Sequence, residues 1–260
     1  MINPRKYGEP PFGIVVVHGG PGAPGEMASV AREIGKTFSV LEPLQTAHSL
    51  EGQVVELKSI LEKEAELPVV LIGHSWGAFL SFIVAAHYPS LVRKLILIGS
   101  GPFDAEYASS IMPTRLSRLD AIEKKEVDVL LGKLSDPQAQ ENDALLRRFG
   151  ELLRKADRYD PIDAPNEILH VSARDFQNVW KEAERMRSSG ALLALGKSIK
   201  CPVVAIHGNY DPHPAEGVEK PLSSVLENFK FMLLEKCGHD PWLERQAKDR
   251  FYEVLSRESG

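Results

Sequence analysis

The chain has 260 residues, of which 43% are hydrophobic, so it can bury one large core. Its formal net charge of −5 argues against nucleic acid or an anionic membrane surface as the main partner, because both require a concentrated positive field. It contains no apolar stretch as long as a transmembrane helix and begins without the apolar core of a signal peptide, so we expect a cytoplasmic protein.

Apolar, β-branched segments alternate with helical ones along much of the chain. They predict strands near 12–18, 38–42, 68–74, 94–99, 202–207 and 229–235. Fewer than a dozen residues precede the first strand, so an antiparallel hairpin at the start is expected to be absent or reduced to a stub. The alternation predicts an α/β fold in which a mostly parallel sheet of about six strands carries helices on both faces.

The first predicted strand leads into a glycine-rich loop, His18-Gly19-Gly20-Pro21-Gly22. It is similar to the HGGG-type loops in which a backbone N–H binds a developing oxyanion. Proline has no N–H, so Gly20 is the favoured donor and Gly19 the second choice. His18 is expected to order this loop through hydrogen bonds.

The third predicted strand leads into Gly73-His74-Ser75-Trp76-Gly77, which precedes a helical segment at 78–87. This G-x-S-x-G pattern is typical of a nucleophile elbow, a sharp strand-to-helix turn that exposes a serine oxygen at the end of a parallel sheet. Ser75 is the candidate nucleophile, and the N–H of Trp76 is the candidate second oxyanion donor. The alternative is an ordinary turn with a bystander serine.

Between 101 and 198 the strand signals disappear, the charge rises, and amphipathic helices are predicted. One is marked by Leu145, Leu146, Phe149, Leu152 and Leu153, and another by Phe176, Val179, Trp180 and Ala183. The sequence therefore predicts a core at 1–100 and 199–260 with a helical insertion at 101–198.

The last two predicted strands each lead into a polar loop, the first containing Asp211 and the second His239. With Ser75, the chain order is Ser, Asp, His, each just past the carboxyl end of its own strand. Asp104, which follows the strand near 94–99, is a rival for the acid. Asp240 precedes a proline and is expected to cap a helix.

These motifs together resemble the α/β-hydrolase superfamily over nearly the whole chain, since that superfamily orders its triad as Ser, Asp, His. The HGGPG sequence at 18–22 combined with Ser75-Trp76-Gly77 resembles more narrowly the proline iminopeptidase branch. Two features depart from that branch. His74 replaces the glycine usual before the serine, and residues 42–49 lack its Asp-x-Arg-Gly-x-Gly-x-Ser stretch.

The resemblance implies a serine hydrolase that cleaves a small ester or amide through Ser75, His239 and Asp211, with an acyl-enzyme. His239 would act as the base with an ordinary pKa of about 6.5, so kcat/KM is expected to rise through an apparent pKa of roughly 6–7.5. Asp211 would hold the imidazole tautomer. The insertion at 101–198 would be a cap, or lid, over the substrate pocket; the alternative is a helical side domain away from it.

Several functional alternatives stay open from the sequence. We expect the substrate to be a small molecule or a short peptide. An esterase and a proline iminopeptidase-like aminopeptidase both stay open. Other reactions use the same triad, and a ligand-binding receptor without catalysis can keep the same fold. No metal-ligand spacing, P-loop or G-x-G-x-x-G is present, so neither a metal nor a cofactor is expected. The oligomeric state is left open.

Overall fold

The computed structural model describes residues 3–134, 143–165 and 167–260. Within these ranges seven strands form one sheet, in the spatial order β1-β3-β2-β4-β5-β6-β7. The strands are β1 (Arg5–Tyr7), β2 (Ile14–Val17), β3 (Val40–Glu42), β4 (Val69–His74), β5 (Val92–Ile98), β6 (Val203–Gly208) and β7 (Phe229–Leu234). All pairings are parallel except that of β1 with β3. The α/β prediction is confirmed, and the three-residue β1 is the expected stub.

The helices cover both faces of this sheet. They are α1 (Ala28–Ile34), α2 (Leu50–Glu64), α3 (Trp76–His87), α4 (Ile111–Ser117), α5 (Ala121–Leu134), α6 (Asp143–Asp157), α7 (Ala173–Ser188), α8 (Ala191–Ala194), α9 (Glu216–Val225) and α10 (Lys248–Ser259). Helices α1 and α10 pack on one face, and α2, α3 and α9 on the other. No helix in the described ranges combines the length and the apolar composition needed to cross a bilayer.

The central strand β4 shows why an uninterrupted apolar segment was needed there. All six of its residues are buried. Because successive side chains of a strand point to opposite faces, Val69 and Leu71 enter the core beneath α2 and α3, whereas Val70 and Ile72 enter the core beneath α1 and α10. A polar residue at any of these positions would be buried on one face or the other.

The segment between β5 and β6 contains α4 to α8. Part of it has a small core of its own, formed by Leu119, Val127, Leu130, Leu146, Phe149, Leu152, Ala156 and Ala173. Helix α7 also packs on the main body, because its Val179 and Ala183 belong to the core that contains α2 and α3. The apolar faces of the helices in this segment are therefore buried in two different cores, the small one and the main one.

The order of the strands fixes where a site can form. Strand β2 lies between β3 and β4. The connection after β2 therefore leads to the strand on one side of it, and the connection after β3 leads to the strand on its other side. In open α/β sheets such a reversal leaves a crevice at the carboxyl ends of the strands. The loops that follow β2 and β4, which contain the HGGPG sequence and Ser75, both lie at this position.

Candidate functional site

Ser75 occupies a sharp turn between β4 and α3, with a φ of 52° that non-glycine residues rarely adopt. The turn is possible because its flanking glycines lack side chains. A Cβ on Gly73 would lie 2.2 Å from the carbonyl oxygen of Gly77, and a Cβ on Gly77 would lie 2.4 Å from that of Val17. The Ser75 N–H donates to the carbonyl of Ile98 at 2.9 Å, which ties the turn to β5.

The structure brings Ser75, His239 and Asp211 into one hydrogen-bonded chain. The Nε2 atom of His239 is 3.0 Å from the Ser75 Oγ, and its Nδ1 atom is 2.7 Å from the Asp211 Oδ2. The ring nitrogen that faces the carboxylate donates its proton, which leaves the nitrogen that faces the serine free to accept one. The arrangement can therefore take a proton from the Ser75 hydroxyl.

Asp211 is held by a second histidine as well. Its Oδ1 atom accepts from the backbone N–H of His213 at 3.0 Å and faces the His213 Nδ1 at 2.7 Å. His207 lies near by, with its Nε2 atom 2.8 Å from the carbonyl of His213. Burial alone would raise the pKa of Asp211, but the facing rings of His239 and His213 hold that pKa well below its ordinary 3.8. The carboxylate is thus ionised and fixed in one orientation.

The two imidazoles on this carboxylate differ in their proton affinity. Burial by itself would lower the pKa of His239, but the Asp211 carboxylate and its hydrogen bond more than offset this and raise that pKa to about 9. Burial dominates at His213 and lowers its pKa to about 4. Asp211 therefore stabilises the cation of His239, while His213 remains a neutral donor to the carboxylate.

The glycine-rich segment His18–Gly22, here called the HGGPG loop, presents its backbone at the same edge. The N–H of Gly19 donates to the Glu26 Oε2 at 3.0 Å, so this donor is already engaged. The N–H of Gly20 has no hydrogen bond to any described residue. The His18 ring bonds the Gly19 carbonyl through Nδ1 at 2.6 Å, which orders the loop as the sequence indicated.

The N–H of Trp76 lies in the first turn of α3, where a helix offers no acceptor to its own N–H groups. The Trp76 side chain is buried and donates from Nε1 to the Gln53 Oε1 at 2.8 Å. This bond fixes the residue that follows Ser75. Trp76 and Gly20 are thus the candidate N–H groups at this site that remain free to bind an anion.

A second polar cluster lies behind His239, and the sequence gave no indication of it. His74 places its Nδ1 atom 3.2 Å from the Glu26 Oε2 and its Nε2 atom 3.1 Å from the carbonyl oxygen of His239. The Asp240 Oδ1 is 3.6 Å from the same Nε2. Glu26 carries no motif, and its partner is 48 residues away in the chain, so no local pattern could have indicated this contact.

Asp240 takes the expected N-cap position with Pro241 in the first helical position, but its side chain does not cap the helix. It precedes the short 3-10 helix Pro241–Leu243, yet its side chain makes no capping hydrogen bond. The carboxylate instead pairs with Arg158, whose Nη2 atom is 2.8 Å from Oδ2. Arg158 directly follows α6, so this ion pair joins two segments that lie 82 residues apart in the chain.

The segment Cys237–Asp240, here called the histidine loop, is fastened to the residues that follow α6. The N–H of His239 donates to the carbonyl of Asp157 at 2.9 Å. The buried carboxylate of Glu244 accepts N–H groups from Gly238, Tyr159 and Asp160 at 2.7 to 2.9 Å. A Cβ on Gly238 would lie 2.1 Å from the Asp157 carbonyl oxygen, so only glycine allows this approach.

Asp104, the rival acid, lies apart from this cluster. It is exposed and accepts the N–H of Glu106 at 3.2 Å as the cap of a 3-10 helix. Its contacts are those of a turn residue. The structure thus pairs His239 with Asp211.

The ligand atoms of Asp211, His213 and His239 lie within 4.8 Å of one another, as do those of Glu26, His74 and Asp240. In the first cluster each histidine Nδ1 is 2.7 Å from an oxygen of Asp211, which is a hydrogen-bond distance. In the first cluster, Asp211 is therefore hydrogen-bonded to both histidines.

A cavity of about 480 Å³ lies next to the cluster of Glu26, His74 and Asp240. Glu26 and Asp240 form part of its wall, together with Arg154, Arg158 and Trp242, but Ser75 and His239 do not line it. Glu26, Asp240 and Trp242, which line the cavity, each contact His74.

Comparison with known proteins shows that the chain is similar to hydrolases. A model described as the alpha/beta hydrolase family matches residues 14–254. The chain is 27% identical over 227 residues to monoacylglycerol lipase ABHD6 of Bos taurus, covering 82% of this chain but only 61% of the lipase. It is 24% identical over 288 residues to a proline iminopeptidase of Lactobacillus crispatus, covering 94% of this chain and 88% of that protein. The solved structure of VinJ matches with a TM-score of 0.69 at 17% identity, covering 99% of this chain and 95% of VinJ.

The contact between His239 and Asp211 predicts a raised pKa of His239, which an NMR titration can measure. We expect the His239 pKa to lie above its ordinary 6.5 and to fall in Asp211→Asn, because burial is then opposed only by the carboxylates of Asp240 and Asp157. Asp104→Asn is the control and leaves that pKa unchanged. A His239 pKa that stayed high in Asp211→Asn would show that another group stabilises the cation.

Proposed function

We propose that this chain, which belongs to the alpha/beta hydrolase family, is a serine hydrolase that cleaves a small ester or amide through an acyl-enzyme. The observation that carries the proposal is the unbroken series of hydrogen bonds from Asp211 through His239 to the Ser75 Oγ, at 2.7 and 3.0 Å. A serine hydroxyl is a weak nucleophile unless an adjacent base takes its proton. Here the base is in contact with the hydroxyl and is itself oriented by a buried carboxylate.

The proposed reaction has two halves. The Ser75 Oγ attacks the substrate carbonyl as its proton passes to the His239 Nε2, and the carbonyl oxygen becomes an oxyanion held by the N–H groups of Trp76 and Gly20. The oxyanion then collapses, the bond to the leaving alcohol or amine breaks, and His239 gives that group its proton. Water repeats the sequence on the acyl-enzyme and releases the acid, restoring Ser75.

The raised pKa of His239 alters the pH dependence expected from the sequence alone. Only the neutral ring can accept the serine proton, so activity requires a pH near or above the pKa of the free enzyme. We therefore expect kcat/KM to rise with pH through an inflection above the ordinary value of 6.5. The Asp211 carboxylate is the reason, because it stabilises the protonated ring.

The helices α4 to α6 are proposed to act as a lid over this site. This proposal is supported by the hydrogen bond from the N–H of His239 to the carbonyl of Asp157, at the end of α6. Such a segment restricts access to the carboxyl edge of the sheet and shapes the substrate pocket. The residues that select a substrate are therefore proposed to lie partly in this insertion.

An aminopeptidase resembling proline iminopeptidase is the second candidate, favoured by the HGGPG loop and by the Lactobacillus crispatus relative. A peptidase of this kind must bind the free amino group of its substrate, and an acidic side chain is the natural partner. The acids nearest the site are engaged, since Glu26 faces His74 and Asp240 pairs with Arg158. This observation favours a substrate without an amino group.

The first test of the proposal is the reactivity of Ser75. We expect a fluorophosphonate to label Ser75 in the wild type, and Ser75→Ala to lose labelling together with kcat, by a factor on the order of 10⁶. Ser81→Ala is a matched control, because it removes a buried hydroxyl from the same helix and leaves the elbow intact. A Ser75→Ala variant that kept more than about a tenth of the activity would rule out Ser75 as the nucleophile.

The substrates in this test are short acyl p-nitrophenyl esters and aminoacyl naphthylamides, including the prolyl one. We expect turnover of the esters to exceed that of the naphthylamides. Preference for the prolyl naphthylamide would favour the aminopeptidase. Binding without turnover or labelling would favour a receptor on the same fold.

The second test compares the two candidate acids. We expect Asp211→Asn to lower kcat by about 10⁴, because the amide orients the imidazole wrongly and removes the charge that stabilises its cation. Asp104→Asn is expected to change kcat only several-fold. The measurement is steady-state turnover by purified variants whose circular dichroism matches the wild type. The reverse ranking would assign the acid to Asp104.

A further inference from the structure

Glu26 and His74 form a bridge between three loops that the proposed reaction requires. The Glu26 Oε2 accepts the N–H of Gly19 in the HGGPG loop at 3.0 Å and faces the His74 Nδ1 at 3.2 Å. His74 directly precedes Ser75, and its Nε2 is 3.1 Å from the carbonyl oxygen of His239. The bridge thus passes from the HGGPG loop through the nucleophile elbow to the histidine loop.

His74 lies between two acceptors. Its Nδ1 atom faces the Glu26 carboxylate, and its Nε2 atom faces the carbonyl oxygen of His239. The ring is 1% exposed. The Asp240 Oδ1 lies 3.6 Å from the His74 Nε2, so the ring is held from both sides by groups from distant parts of the chain.

The charge of Glu26 follows from the same contact. Burial alone would raise the pKa of Glu26, but the facing His74 ring lowers it to about 2. The carboxylate is therefore ionised across the pH range in which such enzymes are assayed.

We propose that Glu26 and His74 are positioning residues that hold the HGGPG loop and the histidine loop in register with Ser75. This inference rests on the proposed function, since it assigns the pair to the same reaction. The pair touches no substrate. It acts by fixing where the Gly20 N–H and the His239 ring lie relative to the Ser75 Oγ.

Two neutral variants, Glu26→Gln and His74→Gln, test the proposal by separating kcat from KM. Glu26→Gln removes the carboxylate, His74→Gln removes the imidazole, and each leaves a side chain of similar size. We expect each to lower kcat by about 10- to 100-fold with KM changed less than about threefold, because misplacement of reacting groups affects the chemical step. We expect the double variant to be no slower than the slower single variant, because the two side chains act as one unit.

Glu42→Gln is the matched control. Glu42 is a fully buried glutamate of β3, held by Arg5 and Tyr7 of the edge strand β1. We expect this variant to lower the free energy of unfolding and leave kcat per folded molecule unchanged. Turnover in every variant is divided by the concentration of Ser75 that a fluorophosphonate titrates, so partial misfolding does not count as slow chemistry.

The outcomes separate this proposal from the proposed function. If a fluorophosphonate labels Ser75 in the wild type but Glu26→Gln and His74→Gln keep the wild-type kcat, the positioning role alone is overturned. Losses that multiply in the double variant also overturn it, because the two side chains would then act independently. Failure of the wild type to label at Ser75 overturns both proposals, because the bridge would have no nucleophile to position.

Discussion

The close approach of α3 to the end of β2 is the constraint on which the candidate site depends. A Cβ on Gly77 would lie 2.4 and 2.5 Å from the carbonyl oxygens of Val17 and His18, so the helix comes this near only because residue 77 has no side chain. The approach brings the first turn of α3 beside the start of the HGGPG loop. Ser75 is then held at an unusual φ by the strand before it and the helix after it.

Around this turn, three acids that are buried or mostly buried each have a specific partner. Glu26 faces His74, Asp240 pairs with Arg158, and Asp157 accepts two bonds of 2.7 Å from Arg115. Buried ion pairs contribute little net stability, because desolvation offsets their attraction, but loss of one partner costs about 3–5 kcal/mol. Their effect here is to fix geometry. Each pair joins loops from distant parts of the chain, so the loops adopt one relative arrangement.

The sequence indicated the fold and the residues that meet at the sheet edge, because both depend on local patterns. Buried parallel strands appear as apolar runs, and the elbow glycines mark a turn that only they permit. Strand β1 was foreseen only as a stub, since Arg5 and Lys6 give it no apolar pattern. Glu26 and Glu244 could not be foreseen, because each contacts a loop whose position depends on the whole fold. The raised pKa of His239 likewise depends on a contact with Asp211 across 28 residues of sequence.

The attachment of the histidine loop to the end of α6 also determines how the insertion can be exchanged. A donor insertion joined after Asp160 would replace the carbonyl of Asp157 and the N–H groups of Tyr159 and Asp160, which hold His239 and Glu244 in place. A chimera that keeps residues 157–160 from this chain and takes only the preceding helices retains those bonds. The junction that preserves these bonds therefore lies at the end of α6, before Asp157, and the proposed lid helices can be exchanged up to that point.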